Sequence, residues 1–262
     1  MTKQLLLVLA FSILLSSCEE FVIPKHEIPE GYPTTYLKLS SDILSQKQGS
    51  YALRNTYLVS SLNEFGFPGY GDVSSVSPPF SDQITKDEAI AKAKLFCSQN
   101  PVETGVNSPD DLKLDASSST TYYNGTTSWS LVFARQEYDT YEVSDTRIFF
   151  RITNGEVVSC IGNWYPEIYI PQDFNISQDE AKKNLINRIV SHYTLAGVKY
   201  YFPVTSEHLN ESVVSLSIYP VTTDDKIELR VAWKIWIQSL SYIFYVDVMT
   251  GDVIGQEATA IS

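Results

Sequence analysis

Two stretches of the chain carry the same order of apolar and polar positions. Residues 84–89 read Ile-Thr-Lys-Asp-Glu-Ala and residues 176–181 read Ile-Ser-Gln-Asp-Glu-Ala, displaced by 177 − 85 = 92 positions. Each predicts a helix start. Thr85 or Ser177 is placed to accept from the N3 amide, and Glu88 or Glu180 to reach back to the cap amide, which makes a capping box. The acidic pairs Asp87/Glu88 and Asp179/Glu180 suit the positive end of a helix dipole. Ile84 and Ile176 stand where a hydrophobic staple sits. Helical spacing continues through Ala89, Ile90, Ala93 and Phe96 or Cys97 in the first copy. In the second it runs through Ala181, Leu185, Ile189, Val190 and Tyr193, so each helix should lay one apolar face on something flat.

Downstream of each helix the period changes to two. Ile148, Phe150 and Ile152 alternate with Arg147, Arg151 and Thr153, and Asn154-Gly155 then signals a tight hairpin, because both turn positions favour positive φ. Tyr242, Phe244, Val246 and Val248 alternate in the second copy, and Thr250-Gly251 turns the chain towards Val253 and Ile254. The turn offset is 251 − 155 = 96, so the copies differ by an insertion of four residues. Trp129–Phe133 and Leu229–Ile237 supply a further alternating strand ahead of each hairpin, the latter with Arg230, Lys234 and Gln238 on its polar side. The expected fold is α+β: two repeated units, each a helix packed on an antiparallel β-sheet with one sheet face exposed.

The ends read differently. Lys3, an apolar run from Leu5 to Leu15 and the small residues Ser16 and Ser17 form a secretory signal too short to span a bilayer, which takes about 20 residues. Leu15-Ser16-Ser17-Cys18 resembles a bacterial lipobox. The resemblance implies cleavage before Cys18 and lipid attachment there, hence a membrane contact made through the anchor. Glu19-Glu20 resembles the surface-export signal of Bacteroidetes lipoproteins, and reads equally as a solvated tether. Pro24, Pro29 and Pro33 predict an extended tether over 18–35. Residues 36–83 carry no assignable role: Tyr51–Leu62 fits a strand or a helix, and the Gly and Pro residues from Gly66 to Pro79 break regular structure.

The formal charge of −12 argues against nucleic acid and anionic lipid heads as partners. Beyond Cys18 only Cys97 and Cys160 remain, either a disulfide of an exported protein or two separate buried thiols. The three histidines, His26, His192 and His208, have no metal-ligand spacing. There is no phosphate-cradling glycine loop and no nucleophile elbow. Asp110/Asp111 and Asp224/Asp225 read as solvated loops before acid–base dyads. No cofactor is expected, and no enzyme activity. Trp164-Tyr165 and Tyr200-Tyr201 are candidate binding-surface clusters, or aromatics packed between sheet and helix.

The capped Asp-Glu-Ala helix, the strand Trp233–Ile237 and the run Phe244–Ile254, with Asp247 before a Thr-Gly-Asp turn at 250–252, resemble the PepSY domain. Gly105-Val106 to Leu112, Phe133-Ala-Arg-Gln136 with Tyr141 and Val143, and Asn154–Val158 with Gly162-Asn163 resemble the fungalysin/thermolysin propeptide domain. In that pattern a glycine stands in the turn between Gln136 and Val143, where this chain has Asp139 and Thr140. The double unit is also similar to YycH/YycI-type extracytoplasmic regulators. The resemblance covers about residues 84–258 and implies a signal peptide at 1–17, a lipidated tether at 18–35, a segment at 36–83, a propeptide-like unit at 84–172 and a PepSY-like unit at 173–262. It implies function by binding. With no peptidase before the chain ends at Ser262, the expectation is a lipid-anchored envelope protein that regulates another envelope protein, such as a peptidase or sensor, in trans. The alternative expectation is an envelope protein that binds a small molecule or glycan.

Overall fold

The structure, a computed structural model, describes residues 26–71, 78–79, 83–122, 125–193 and 199–259. Cys18 and the expected signal peptide lie outside the described residues. Strand β1 (Thr34–Leu37) precedes helix α1 (Ser41–Arg54) and a small hairpin of β2 (Ser61–Leu62) and β3 (Pro68–Gly69). Helix α2 (Lys86–Gln99) and the single turn α3 (Pro101–Thr104) lead to β4 (Leu114–Thr121), β5 (Thr127–Phe133), β6 (Glu137–Tyr138), β7 (Tyr141–Val143), β8 (Ile148–Thr153) and β9 (Glu156–Gly162). The C-terminal half holds α4 (Gln178–Lys183), β10 (Ile189–Tyr193), β11 (Lys199–Pro203), α5 (Ser206–Asn210), β12 (Val213–Thr222), β13 (Lys226–Ile237), β14 (Tyr242–Asp247) and β15 (Val253–Ala258). The fold is mixed α+β. No described helix is long and apolar enough to cross a membrane.

The first sheet has the order β4-β5-β8-β9, all antiparallel. Helix α2 starts at the predicted capping box, with Thr85 N donating to Glu88 Oε2 at 2.7 Å. Its buried face is Ala89, Ala93, Phe96 and Cys97, and Phe96 meets Phe150 of β8 edge-on at 5.7 Å. The Asn154-Gly155 turn has φ of 49° and 79°, the left-handed pair a two-residue hairpin requires. Residues 41–62 belong to this body. Tyr51, Leu58 and Leu62 join its core, Val59 N donates to Val158 O at 2.8 Å, and so this stretch lies along the β9 edge.

The second sheet has seven strands, in the order β15-β14-β13-β12-β7-β6 with β1 also paired to β13. Ile176, Leu185, Val190, Val204 and Leu209, from α4, α5 and their neighbouring segments, cover Ile235, Ile237, Phe244 and Val246 on one face. Strands β6 and β7 leave the first sheet between β5 and β8 and pair with β12, Glu142 opposite Ser217 and Val143 opposite Ile218. A third core, including Tyr32, Phe67, Val143, Tyr165, Ile218 and Leu229, fills the junction between the sheets.

Two expectations are corrected here. The second helix was expected to run to Tyr193, but α4 stops at Lys183 and Ile189–Tyr193 is a strand. Asn187 turns the chain with φ 67°, and the β-branched Ile189 and Val190 then suit the pleated β10–β11 hairpin. The described part of the expected tether, residues 26–35, is docked on the second sheet. Tyr32 is buried, and its hydroxyl accepts from Val231 N at 3.1 Å. The halves also differ in size, with a 14-residue helix over four strands in one and a 6-residue helix beside seven strands in the other.

Candidate functional site

Three connecting segments cross between the sheets, and buried polar groups bind them together. Gln136 N donates to Thr146 Oγ1 at 2.9 Å, and Thr146 Oγ1 donates to Val143 O at 2.6 Å. The Gln136 side chain donates to Tyr165 O at 2.6 Å and accepts from Tyr165 N at 2.9 Å. Gln136 and Thr146 are both buried, so each connector's polar groups are satisfied by the next one. Arg135 precedes this clamp and Arg147 follows it, which sets both guanidinium groups on one rigid base.

Both arginines line a cleft of about 540 Å³, with Asp145, Asn163 and, from the β2–β3 hairpin, Asn63 and Tyr70. Arg135 Nη1 donates to Glu142 Oε1 at 2.8 Å, and Lys234 Nζ holds the same oxygen at 2.8 Å. Burial opposes the Arg135 charge, but the Glu142 bond outweighs it and raises the guanidinium pKa. Burial likewise opposes ionised Glu142, and its bonds to Lys234 and Arg135 prevail and hold it below the usual carboxylate value. Arg147 Nη2 lies 3.8 Å from Asp115 Oδ2, beyond hydrogen-bonding distance. Asp145 has φ 56°, and Gly162 has φ 139° with its α-carbon pressed to the Arg147 carbonyl, where a Cβ would fall 1.9 Å from the oxygen. Only glycine allows that approach.

A second feature is an open sheet edge. β4 ends the first sheet's strand order, and residues 115–121 are exposed throughout. It reads Leu-Asp-Ala-Ser-Ser-Ser-Thr-Thr, with one charge, Asp115, and no proline. A register shift between Leu114 and Ala116 interrupts pairing only at its base.

No family model matches the chain, and no curated protein matches it. Among solved structures it is similar to the C-terminal domain of Bacillus megaterium YpeB, at 12% identity and a TM-score of 0.29, over 85% of this chain and 99% of that one. Similarity at that level carries no argument about fold or role.

The residues singled out in the sequence do not form one site. Trp164 and Tyr165 are buried, which corrects their reading as a binding surface. Trp164 joins the first core, its carbonyl so close to Gly105 that a Cβ there would fall 1.7 Å away. Tyr165 packs against Tyr36 at 5.3 Å and Phe67 at 5.5 Å in the junction core. Tyr200 and Tyr201 are exposed on β11, apart from that pair, with Lys199 Nζ 5.3 Å from the Tyr201 ring centre. Cys97 and Cys160 are buried free thiols in the first core, not a disulfide. Burial pushes the Cys97 thiol up to about 12 and Cys160 well above its ordinary value. Among the described residues, no group of three or more His, Cys, Asp or Glu is placed to hold a metal.

Sequence reasoning missed Arg135 and Arg147 as a pair. The signal available was one arginine on each side of the short β6–β7 hairpin, which closes on itself and so returns the chain to its starting point. It also missed Asp247 as a hub. This fully buried carboxylate accepts from Tyr32 Oη at 3.2 Å, Arg230 Nη1 at 2.9 Å, Met249 N at 2.7 Å and Thr250 N at 2.9 Å. Every acceptor position is used, so this cluster is structural.

Proposed function

We propose that this chain is a lipid-anchored, non-catalytic binding protein of the cell envelope that regulates another envelope protein by taking one of its strands onto β4. The observation that carries the reading is the β4 edge. Proteins blunt such edges with charge, proline, bulges or covering segments, as the stretch around Val59 does for β9 here. Among the described residues, none pairs with the outer side of β4, which suits strand addition. The lipobox-like Leu15–Cys18 supports an anchor at Cys18. The paired capping boxes and hairpins support a PepSY-like unit built twice, and that family resemblance in turn supports binding over catalysis.

A photo-crosslinking residue placed at Ser117 of the full chain tests the edge in intact cells. The expected result is one discrete adduct with an envelope protein, lost when Ser119→Pro removes a main-chain donor that faces away from β5 and stiffens the edge. An unchanged adduct in the Ser119→Pro variant, with its melting temperature preserved, would overturn the reading. Cys18→Ala is expected to move the protein from the membrane fraction to the soluble one, and retention in the membrane fraction would remove the anchor from the proposal.

A further inference from the structure

We propose that the cleft between the β2–β3 hairpin and the connectors that join the two sheets is a binding site for a small carboxylate, gripped by the guanidinium groups of Arg135 and Arg147. This goes beyond the strand-recruiting role and stands without it. The cleft of about 540 Å³ is large enough for a monosaccharide- or dipeptide-sized molecule. Its two arginines come from different connectors, yet the buried Gln136–Thr146–Tyr165 clamp fixes both main chains. Preorganised support of this kind keeps a binding group in place without loss of freedom on binding.

The donors are available. A guanidinium presents several N–H groups in a planar fork. Among the described residues, Arg135 spends one nitrogen on Glu142, and Arg147 makes no hydrogen bond, its ion pair with Asp115 spanning 3.8 Å. Each fork therefore keeps N–H groups that no hydrogen bond occupies. A carboxylate matches the fork in shape and in charge. Asp145 lines the same cleft and sets the class more narrowly. It repels a doubly charged phosphate, and it offers an acceptor to a hydroxyl or ammonium next to the ligand's carboxylate. An acidic sugar carries hydroxyls beside its carboxylate, and a dipeptide carries an amide N–H beside it and an ammonium at its far end.

Calorimetric titration of the full chain with D-galacturonate and, separately, with the dipeptide Ala-Ala distinguishes the two sources. D-galactose, the dipeptide amide and inorganic phosphate serve as comparisons. The expected result is saturable binding of one carboxylate, weakened by salt and reduced about tenfold or more in Arg147→Gln. Arg147 is exposed and unbonded, so that variant should keep the wild-type melting temperature. Arg135→Lys keeps the positive charge but loses the fork, and should also weaken binding. Equal binding of the neutral compounds, tighter binding of phosphate, or no binding of either carboxylate at millimolar concentration overturns the proposal. Unchanged affinity in both arginine variants does so too. None of these outcomes bears on β4, whose test reads a crosslink.

Discussion

The indole nitrogen of Trp233 donates to the main-chain carbonyl of Ile176 at 2.8 Å, tying β13 to the residue just ahead of the α4 capping box. Trp129 of β5 does the same to Ile84, just ahead of the α2 capping box, at 2.9 Å. Each bond fixes where a helix enters the layer above its sheet. Trp233→Phe and Trp129→Phe keep most of the ring and remove the donor, leaving a partly buried carbonyl unmatched. Each should cost about 1–2 kcal/mol in denaturant unfolding. Matching losses would support one module built twice, while a loss in only one variant would count against it.

The β6–β7 turn is built from Asp139 at φ 46° and Thr140 at φ 73°, a backbone region that favours glycine. A β-branched residue is strained in the left-handed region. Thr140→Gly should therefore stabilise the fold by about 0.5–1 kcal/mol, read as a higher melting temperature. A lower melting temperature would mean that the threonine side chain contributes more than its backbone angle costs.

Acid should weaken the joint between the sheets. Lys234 and Arg135 overcome burial to hold Glu142 low, and Lys226, against burial and with help from Arg230, does the same for Glu228. A carboxyl group whose folded pKa lies below its unfolded one favours the fold at neutral pH. That contribution is lost as pH falls from the ordinary glutamate value of 4.5 through the lower folded one. Denaturant midpoints measured from pH 6 to pH 3 should fall, and Glu142→Gln with Glu228→Gln should flatten the slope.

Thiol chemistry offers a fourth handle. With Cys97 raised to about 12 and Cys160 well above its ordinary value, neither thiol is ionised or accessible at neutral pH. Alkylation by iodoacetamide followed by mass spectrometry should find both unmodified in the native protein and both modified in denaturant. Rapid native labelling of Cys97 would show that α2 lifts from its sheet.

What the sequence shows best is local. The capping boxes at Thr85 and Ser177 follow from short-range chemistry, as do the Asn154-Gly155 turn and the alternation along β5, β8 and β13. The end of α4 was not legible, because Leu185, Ile189 and Val190 satisfy helical spacing as well as a hairpin, and the decision falls to Asn187. The crossing of β6–β7 to β12 depends on pairings between residues 142 and 217, a separation that no local pattern encodes. The β6–β7 hairpin returns Arg147 to Arg135 locally, but the opposite wall of the cleft, Asn63 and Tyr70, lies about 70 residues away in sequence, which no local pattern encodes. Trp164 and Tyr165 stayed open between a binding surface and a packed core, because an aromatic pair suits both until its neighbours are known, and the structure packs them in the core.

The docking of Tyr32 has a mechanical consequence. Its ring is inserted beside Val231, β1 runs along β13, and the Asn175 side chain holds both polar main-chain groups of His26. Tension on the chain ahead of residue 26 is therefore borne first by the C-terminal sheet, although the strained residues are the earliest in sequence. The first sheet feels it only after that, through the β7–β12 seam, the junction core and the helix that follows β1, so β4, at the far edge of that sheet, is the last strand such a pull reaches.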